Sequence, residues 1–165
     1  MVNVQRITPF LWFDTQAEEA AKFYVSIFPH SKITATTHYS EAGRDVHHKL
    51  PGSVLTVGFE LDGLHFTALN GGPQFKFTEA VSFVVHCETQ AEVDHYWSKL
   101  GADGDPKAQQ CGWLKDKYGL SWQIVPNAMI QMLSDPDKTK SGRIMQALMQ
   151  MKKLDITKLQ QAFAG

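Results

Sequence analysis

The chain reads as an α+β protein made of two tandem βαβββ modules that form a cupped mixed sheet, followed by a helical C-terminal extension. Two internal echoes and the order of the elements predict this. Thr15-Gln16-Ala17-Glu18 follows an apolar run ending in Asp14, and Thr89-Gln90-Ala91-Glu92 follows one ending in Glu88. Sliding one copy by 74 positions also sets Ile7, Thr8 and Asp14 on Val81, Ser82 and Glu88. Later, Gly63-Leu64-His65-Phe66-Thr67-Ala68-Leu69 matches Gly119-Leu120-Ser121-Trp122-Gln123-Ile124-Val125, with glycine, leucine, an aromatic and a closing aliphatic at equal spacing. Each Thr-x-x-Glu is expected to be a capping box that opens a helix, and the later echo alternates as a strand does.

In the first module, residues 4 to 13 carry Ile7, Phe10, Leu11, Trp12 and Phe13 and read as a strand. The helix from about Gln16 to Phe28 places Ala20, Phe23, Tyr24 and Ile27 on one face, and Pro29 ends it. Residues 32 to 38 read as a second strand, and Ser40 to Gly52 as a polar loop containing His47 and His48. Residues 53 to 61 and 64 to 70 then form a hairpin across Asp62-Gly63, a strong short-range turn signal. Gly71-Gly72-Pro73 is a break, after which the pattern restarts. Residues 79 to 87 alternate as a strand and Gln90 to Leu100 form a helix. Short strands near 107 to 111, 113 to 117 and 120 to 125 complete the second module, and Pro126 stops the sheet. The expected divisions are 1–73, 74–126 and 127–165. The last segment looks like two or three helices, with Ile144, Leu148 and Met151 on one stripe and Met145 and Met149 beside it. A methionine-rich stripe is first of all packing, expected here to cover a sheet edge or a dimer partner.

Bulk properties narrow the function classes. The chain has 165 residues, 43% of them hydrophobic, enough for a proper core. A net charge of -1 gives no general electrostatic drive toward nucleic acid or an anionic membrane. The two cysteines, Cys87 and Cys111, form no CxxC and suggest no disulfide framework, so a reducing compartment is the default. With no signal-peptide pattern and no run of eighteen apolar residues, the expectation is a soluble, cytoplasmic protein.

The stretches Phe23-Tyr24 with Ile27-Phe28-Pro29, Ala68-Leu69-Asn70-Gly71-Gly72-Pro73 with Phe75-Lys76-Phe77, Cys111-Gly112-Trp113-Leu114-Lys115-Asp116, and Ser121-Trp122-Gln123-Ile124-Val125-Pro126 carry a family resemblance. So does the tail, through Met145-Gln146-Ala147 and Gln150-Met151-Lys152-Lys153-Leu154-Asp155-Ile156. The chain resembles the PhnB-like branch of the vicinal oxygen chelate superfamily, which includes the glyoxalases, extradiol dioxygenases and the fosfomycin and bleomycin resistance proteins. Many members of this branch bear the label 3-demethylubiquinone-9 3-methyltransferase. The resemblance implies a homodimer, as many relatives of this fold are, and a small-molecule cavity between the modules.

In the superfamily's metal enzymes four ligands, His, Gln or Glu, come from the first and last strands of the two modules. The repeat sets Thr8, Thr67, Ser82 and Gln123 at those positions here. Hydroxyls and one amide are weak donors to a divalent transition metal, so no metal or other cofactor is expected at the inherited site. A divalent metal would need a relocated site. His65 shares a face with Thr67, and His86 shares one with Ser82, and a third ligand would come from Glu60, Cys111, His47 or His48. The simpler reading of His65 and His86 is a hydrogen-bonded or rim-exposed imidazole.

Methyl transfer needs a place for S-adenosylmethionine, most often a glycine-rich turn between strand and helix, and Gly71-Gly72-Pro73 leads toward a strand. Cys111, beside Gly112 and followed by Lys115 and Lys117, reads either as a partly activated thiolate or as a small hydrophobe in a short strand. Trp113 is a stacking wall or a core residue, and Asn70 a ligand contact or a turn cap. The expected function is binding of a small organic molecule, with the cavity residues Thr8, Thr67, Asn70, Ser82, Cys111, Trp113 and Gln123. The alternatives are a lyase, isomerase or dioxygenase with a relocated metal, and the methyltransferase of the family label.

Overall fold

The computed structural model describes residues 5–165. The chain divides into two compact units, Met1–Lys76 and Phe77–Gly165. In the first, the order is β1 (Phe10–Phe13), α1 (Ala17–Ile27), β2 (Lys32–His38), α2 (Arg44–His47), β3 (Val54–Leu61) and β4 (Leu64–Asn70). The sheet runs β1-β4-β3-β2, with β1 parallel to β4 and the other pairs antiparallel. Asp62 and Gly63 both have positive φ, 46° and 83°, the backbone of a type I′ turn between β3 and β4. Alternation sends Val57, Phe59, Phe66 and Ala68 to one face, where they are buried with Ala17, Ala20, Ala21, Tyr24 and Ile27 of α1. Phe59 stacks on Phe66 at 5.3 Å between ring centroids and on Tyr24 at 6.2 Å. Thr56, Gly58, Glu60, His65, Thr67 and Leu69 are left on the opposite face.

Several local expectations are corrected here. The first strand is only Phe10–Phe13; of the longer stretch expected, residue 4 lies outside the described residues. Pro9 has no N–H to offer a ladder, and its carbonyl accepts from Thr67 N at 3.0 Å. Upstream of it a side chain replaces the strand. Gln5 Nε2 donates to His65 O at 3.3 Å, and Gln5 Oε1 accepts from His65 N at 3.1 Å. The loop after β2 contains the short helix α2, with His47 packed at 4.7 Å against Tyr39. Thr15-x-x-Glu18 forms no capping box: Gln16 occupies the cap position without a side-chain bond, and Asn70 Oδ1 takes the Ala17 N–H at 2.8 Å.

The second unit contains β5 (Ser82–Cys87), α3 (Gln90–Leu100), β6 (Trp113–Lys115) and β7 (Ser121–Pro126), in the sheet order β5-β7-β6. Here the Thr89 and Glu92 capping box is present. The two modules are the expected tandem βαβββ units, but in the second one strand has shrunk. Residues 107 to 111 are not a strand: Pro106–Ala108 is a 3₁₀ turn capped by Asp105, and Gln110 keeps a single bridge to Trp113. Between them Cys111 and Gly112, with φ of 52° and 84°, make a two-residue type I′ turn. Gly112 is required twice over, since a Cβ there would lie 3.0 Å from Leu154 Cδ1 and 3.1 Å from Ile124 O.

The C-terminal helices α4 (Asn127–Leu133), α5 (Lys138–Met149) and α6 (Ile156–Ala164) belong to this second unit. Asp137 and Asp155 cap α5 and α6. Met129, Met132, Ile144, Leu148, Leu154 and Leu159 share a core with Val125 of β7. Gln90 ties α3 to this core, donating to Leu154 O and accepting from Ile156 N. Of the expected stripe, Ile144 and Leu148 are buried and Met151 half-buried, while Met145 and Met149 face outward. The extension covers the β6 hairpin turn, because Cys111 N and Gly112 N each donate at 2.8 Å to Met151 O and Lys152 O.

Candidate ligand-binding faces

The face of the second sheet turned away from α3 carries Ser82, Val84 and His86 from β5, Ser121, Gln123 and Val125 from β7, and Trp113 and Lys115 from β6. Register fixes the neighbours: Ser82 opposite Ser121, Val84 and Trp113 on either side of Gln123, and Lys115 opposite Ser121. Gln123 Nε2 donates to Ser82 Oγ at 2.8 Å, so two residues singled out by the repeat do meet. Ser121 is 1% exposed, and its hydroxyl is the one buried side-chain polar atom among the described residues without a hydrogen-bond partner. Such an orphan costs about 1–3 kcal/mol. Lys115 is engaged by Glu79, whose carboxyl this ammonium holds below the usual range through a hydrogen bond and its charge. Val125 is already covered by the C-terminal helices.

A buried carboxylate holds the turn that delivers β7. Asp116 Oδ1 accepts from Tyr118 N at 2.9 Å and Leu120 N at 3.0 Å, and Oδ2 accepts from Trp122 Nε1 at 2.9 Å. Ser121 therefore lies between two residues, Leu120 and Trp122, that this carboxylate holds.

The corresponding face of the first sheet carries Phe10 and Trp12 from β1, His65, Thr67 and Leu69 from β4, and Thr56 and Glu60 from β3. Phe10 pairs with Thr67 as Val84 pairs with Gln123, so the structure aligns Thr67 with Gln123 and His65 with Ser121. Glu60 lies 3.4 Å from both Lys32 and His65. Thr8 falls before β1, and its hydroxyl donates to Gln5 O at 3.4 Å. Trp12 Nε1 donates to Gly72 O at 2.8 Å, Phe75 meets its ring edge-on at 4.9 Å, and a Cβ on Gly71 would fall 2.2 Å from that ring. Gly71-Gly72 is thus a seat for an indole.

Asn70 points to the α1 side. Besides capping α1, its Nδ2 donates to Val54 O at 3.2 Å, and its carbonyl accepts from Tyr39 Oη at 2.6 Å. It also borders a cavity of about 240 Å³ between the start of α1 (Asp14, Thr15, Glu18) and the loop after β2 (Tyr39, Lys49, Ser53). Cys111 is a turn residue rather than a strand residue, and Trp113 is half-buried at the start of β6.

Of the relocated-metal residues, His65 reaches Glu60 in the first unit, while His86 lies exposed on β5 of the second. His47 bonds within its own loop. Among the described residues no three His, Cys, Asp or Glu side chains are grouped as a metal would need. The four positions that the repeat singles out carry neutral side chains, weak donors to a divalent ion, and Gln123 Nε2 donates to Ser82 Oγ. The glycine-rich strand-to-helix turn that most often holds S-adenosylmethionine is not among the described residues. The strand-to-helix junctions Asp14-Thr15-Gln16 and Glu88-Thr89 contain no glycine, and the Gly71-Gly72 turn is filled by Trp12.

Sequence reasoning did not single out Ser121, whose hydroxyl the structure leaves buried on the same face as Gln123. The signal was present: it stands two residues before Gln123 and on the repeat partner of His65.

This duplicated βαβββ architecture defines a vicinal oxygen chelate fold. Residues 5–125 match the family model described as 3-demethylubiquinone-9 3-methyltransferase, and the chain belongs to that family, the PhnB-like branch of the superfamily. The match stops before α4, so the tail resemblance lies outside the matched residues. A PhnB protein of Bacillus cereus, provisionally described with the same methyltransferase label, is 39% identical over 74% of this chain and 99% of its own, with a TM-score of 0.62. Protein PA1353 of Pseudomonas aeruginosa is 15% identical over 74% of this chain and 98% of its own, with a TM-score of 0.56. The fosfomycin resistance protein FosX of Listeria monocytogenes is 12% identical over 82% of this chain and 100% of its own, at a TM-score of 0.51. The last two share the fold. No curated protein matches the chain. Among the described residues no helix is long and apolar enough to cross a membrane.

Proposed function

We propose that this protein binds a small, partly apolar organic molecule through the exposed face of its second sheet, without the superfamily's metal ion. The observation that carries the reading is the Ser121 hydroxyl, buried and unpartnered beside the Ser82–Gln123 pair. A ligand oxygen or nitrogen would satisfy it, and Gln123 keeps a free carbonyl lone pair for a donor. Trp113 and Val84, on either side of Gln123, supply apolar contact. Neutral hydrogen-bonding groups on an apolar floor favour an uncharged hydroxyl, carbonyl or amide over a phosphate.

The test is a thermal-shift screen of small oxygenated aromatics and aliphatics, followed by calorimetry of the hits with and without EDTA. Affinity is expected to be indifferent to EDTA and at least tenfold weaker in Gln123→Leu. Ser121→Ala has a distinctive double signature: the ligand-free protein becomes as stable as wild type or more so, and ligand affinity falls. Loss of binding in EDTA, or unchanged affinity in both variants, would refute the reading. The same reading takes the protein to be a cytoplasmic homodimer. Free cysteines and the exposed aromatic Phe10 on an edge strand support it, and light scattering at twice the 18.5 kDa chain mass checks the dimer.

A further inference from the structure

Away from the sheet faces, the hairpin turn of the second unit meets the end of α5, and two sulfur atoms meet there. Cys111 Sγ and Met149 Sδ are 3.8 Å apart. Met145 stands one turn before Met149 on the same side of α5, and the two methionines are 48% and 55% exposed. Backbone and amide bonds bring the turn to the end of α5. The Cys111 N–H is bonded to Met151 O, the Gly112 N–H to Lys152 O, and Gln110 Nε2 donates both to Met149 O at 3.0 Å and to Cys111 Sγ at 3.3 Å.

We propose that Cys111 and Met149, with Met145 as the third sulfur, form a binding site for a soft monovalent metal ion, copper(I). Thiolate and thioether ligands select this ion over the harder divalent cations. With metal–sulfur bonds of about 2.3 Å, two sulfurs at 3.8 Å subtend roughly 110° at the metal, so a tetrahedral or slightly opened trigonal centre fits with little rearrangement. Binding exchanges the thiol proton for the metal: the S–H bond breaks, a Cys111 S–Cu bond forms, the proton leaves to solvent and no electron is transferred. The Gln110 amide already donates to that sulfur and would stabilise the thiolate from outside the ligand shell. Cys87 does not compete, being fully buried with its thiol pushed up to about 12 by burial and by Glu92.

The reduced full-length protein is titrated anaerobically with copper(I) in competition with a chromogenic copper(I) chelator. One ion per chain is expected. Cys111→Ser should abolish uptake although Cys87 is intact, and Met149→Leu should weaken it at least tenfold, with circular dichroism unchanged in both. X-ray absorption should show an all-sulfur shell. A wild-type protein that yields all copper to the chelator, a Cys111→Ser variant that retains it, or a Met149→Leu variant of wild-type affinity would overturn the site. A Met145→Leu variant of wild-type affinity would overturn the three-sulfur form.

Discussion

Asp116 offers the most direct test of how the second sheet is set. Its carboxylate is 2% exposed and accepts three hydrogen bonds, two from backbone N–H groups of the β6–β7 turn and one from the Trp122 indole. Asp116→Asn keeps an oxygen for Tyr118 and Leu120 but turns an NH₂ toward the Trp122 N–H. One charge-assisted bond disappears and two donors face each other. A bond to a charged group contributes about 1.5–3 kcal/mol, so the loss should be about 2–3 kcal/mol, or roughly 4–10 °C in Tm for a chain of this size. Asp116→Ala strands all three donors and should cost about 4–5 kcal/mol, the extreme of single substitutions. Trp122→Phe removes the same indole bond from the other side, so the Asn and Phe changes together should cost at least about 1 kcal/mol less than their sum. Urea unfolding followed by tryptophan fluorescence measures the stabilities, and hydrogen exchange at the Tyr118 and Leu120 amides reads the turn itself. An Asp116→Asn protein within about 0.5 kcal/mol of wild type, or strict additivity with Trp122→Phe, would refute the reasoning.

Two further predictions concern helix caps and thiols. Thr89→Ala should cost about 1 kcal/mol because its capping box is formed, whereas Thr15→Ala should change stability by less than about 0.5 kcal/mol; Asn70→Ala, which uncaps α1, should cost about 1–2 kcal/mol. Chemical denaturation of the three variants decides. Native protein at pH 8 should be alkylated at Cys111 and spared at Cys87, and mass spectrometry of the labelled peptides checks it. Because the folded state raises the Cys87 thiol to about 12, its contribution is intact below the unfolded value and fades as pH climbs from about 8.5 toward that limit. The alkaline loss of stability should be shallower in Cys87→Ala.

The identical tetrapeptides at 15–18 and 89–92 show what local sequence can and cannot say. Both contain the capping-box pattern, yet only the second forms it: at the first, Gln16 stands at the cap, Glu18 is engaged by Lys22, and Asn70, far along the chain, takes the first free N–H of α1. A competitor from a distant strand leaves no mark on the local pattern. The Asp62-Gly63 turn was legible since its two residues alone dictate positive φ. The stretch 107–111 was misread as a strand because its alternation is short, and Pro106 with the Cys111-Gly112 turn leaves room for only one bridge. The repeat set Ser82 and Gln123 on one face, and their side chains meet there because homologous strands keep their faces. Thr8 was lost to Pro9, which shortens the strand from its near end. Nothing in the spacing of Cys111 and Met149 announces a sulfur pair; that contact exists because the helices beyond the matched family residues fold back onto the hairpin turn.

The two modules have diverged most where their ancestry was most alike. At equivalent places on β4 and β7 stand His65 and Ser121, then Thr67 and Gln123. On the first face His65 stands in a polar row with Glu60 and Lys32, and the partly exposed Lys32–Glu60 ion pair contributes little to stability. On the second face the same place is a buried, neutral hydroxyl with no hydrogen-bond partner, which costs stability. A bound ligand offering one oxygen or nitrogen would recover that cost. That asymmetry is why ligand recognition is assigned to the second sheet, and why Ser121→Ala is expected to separate stability from binding when most substitutions would lower both.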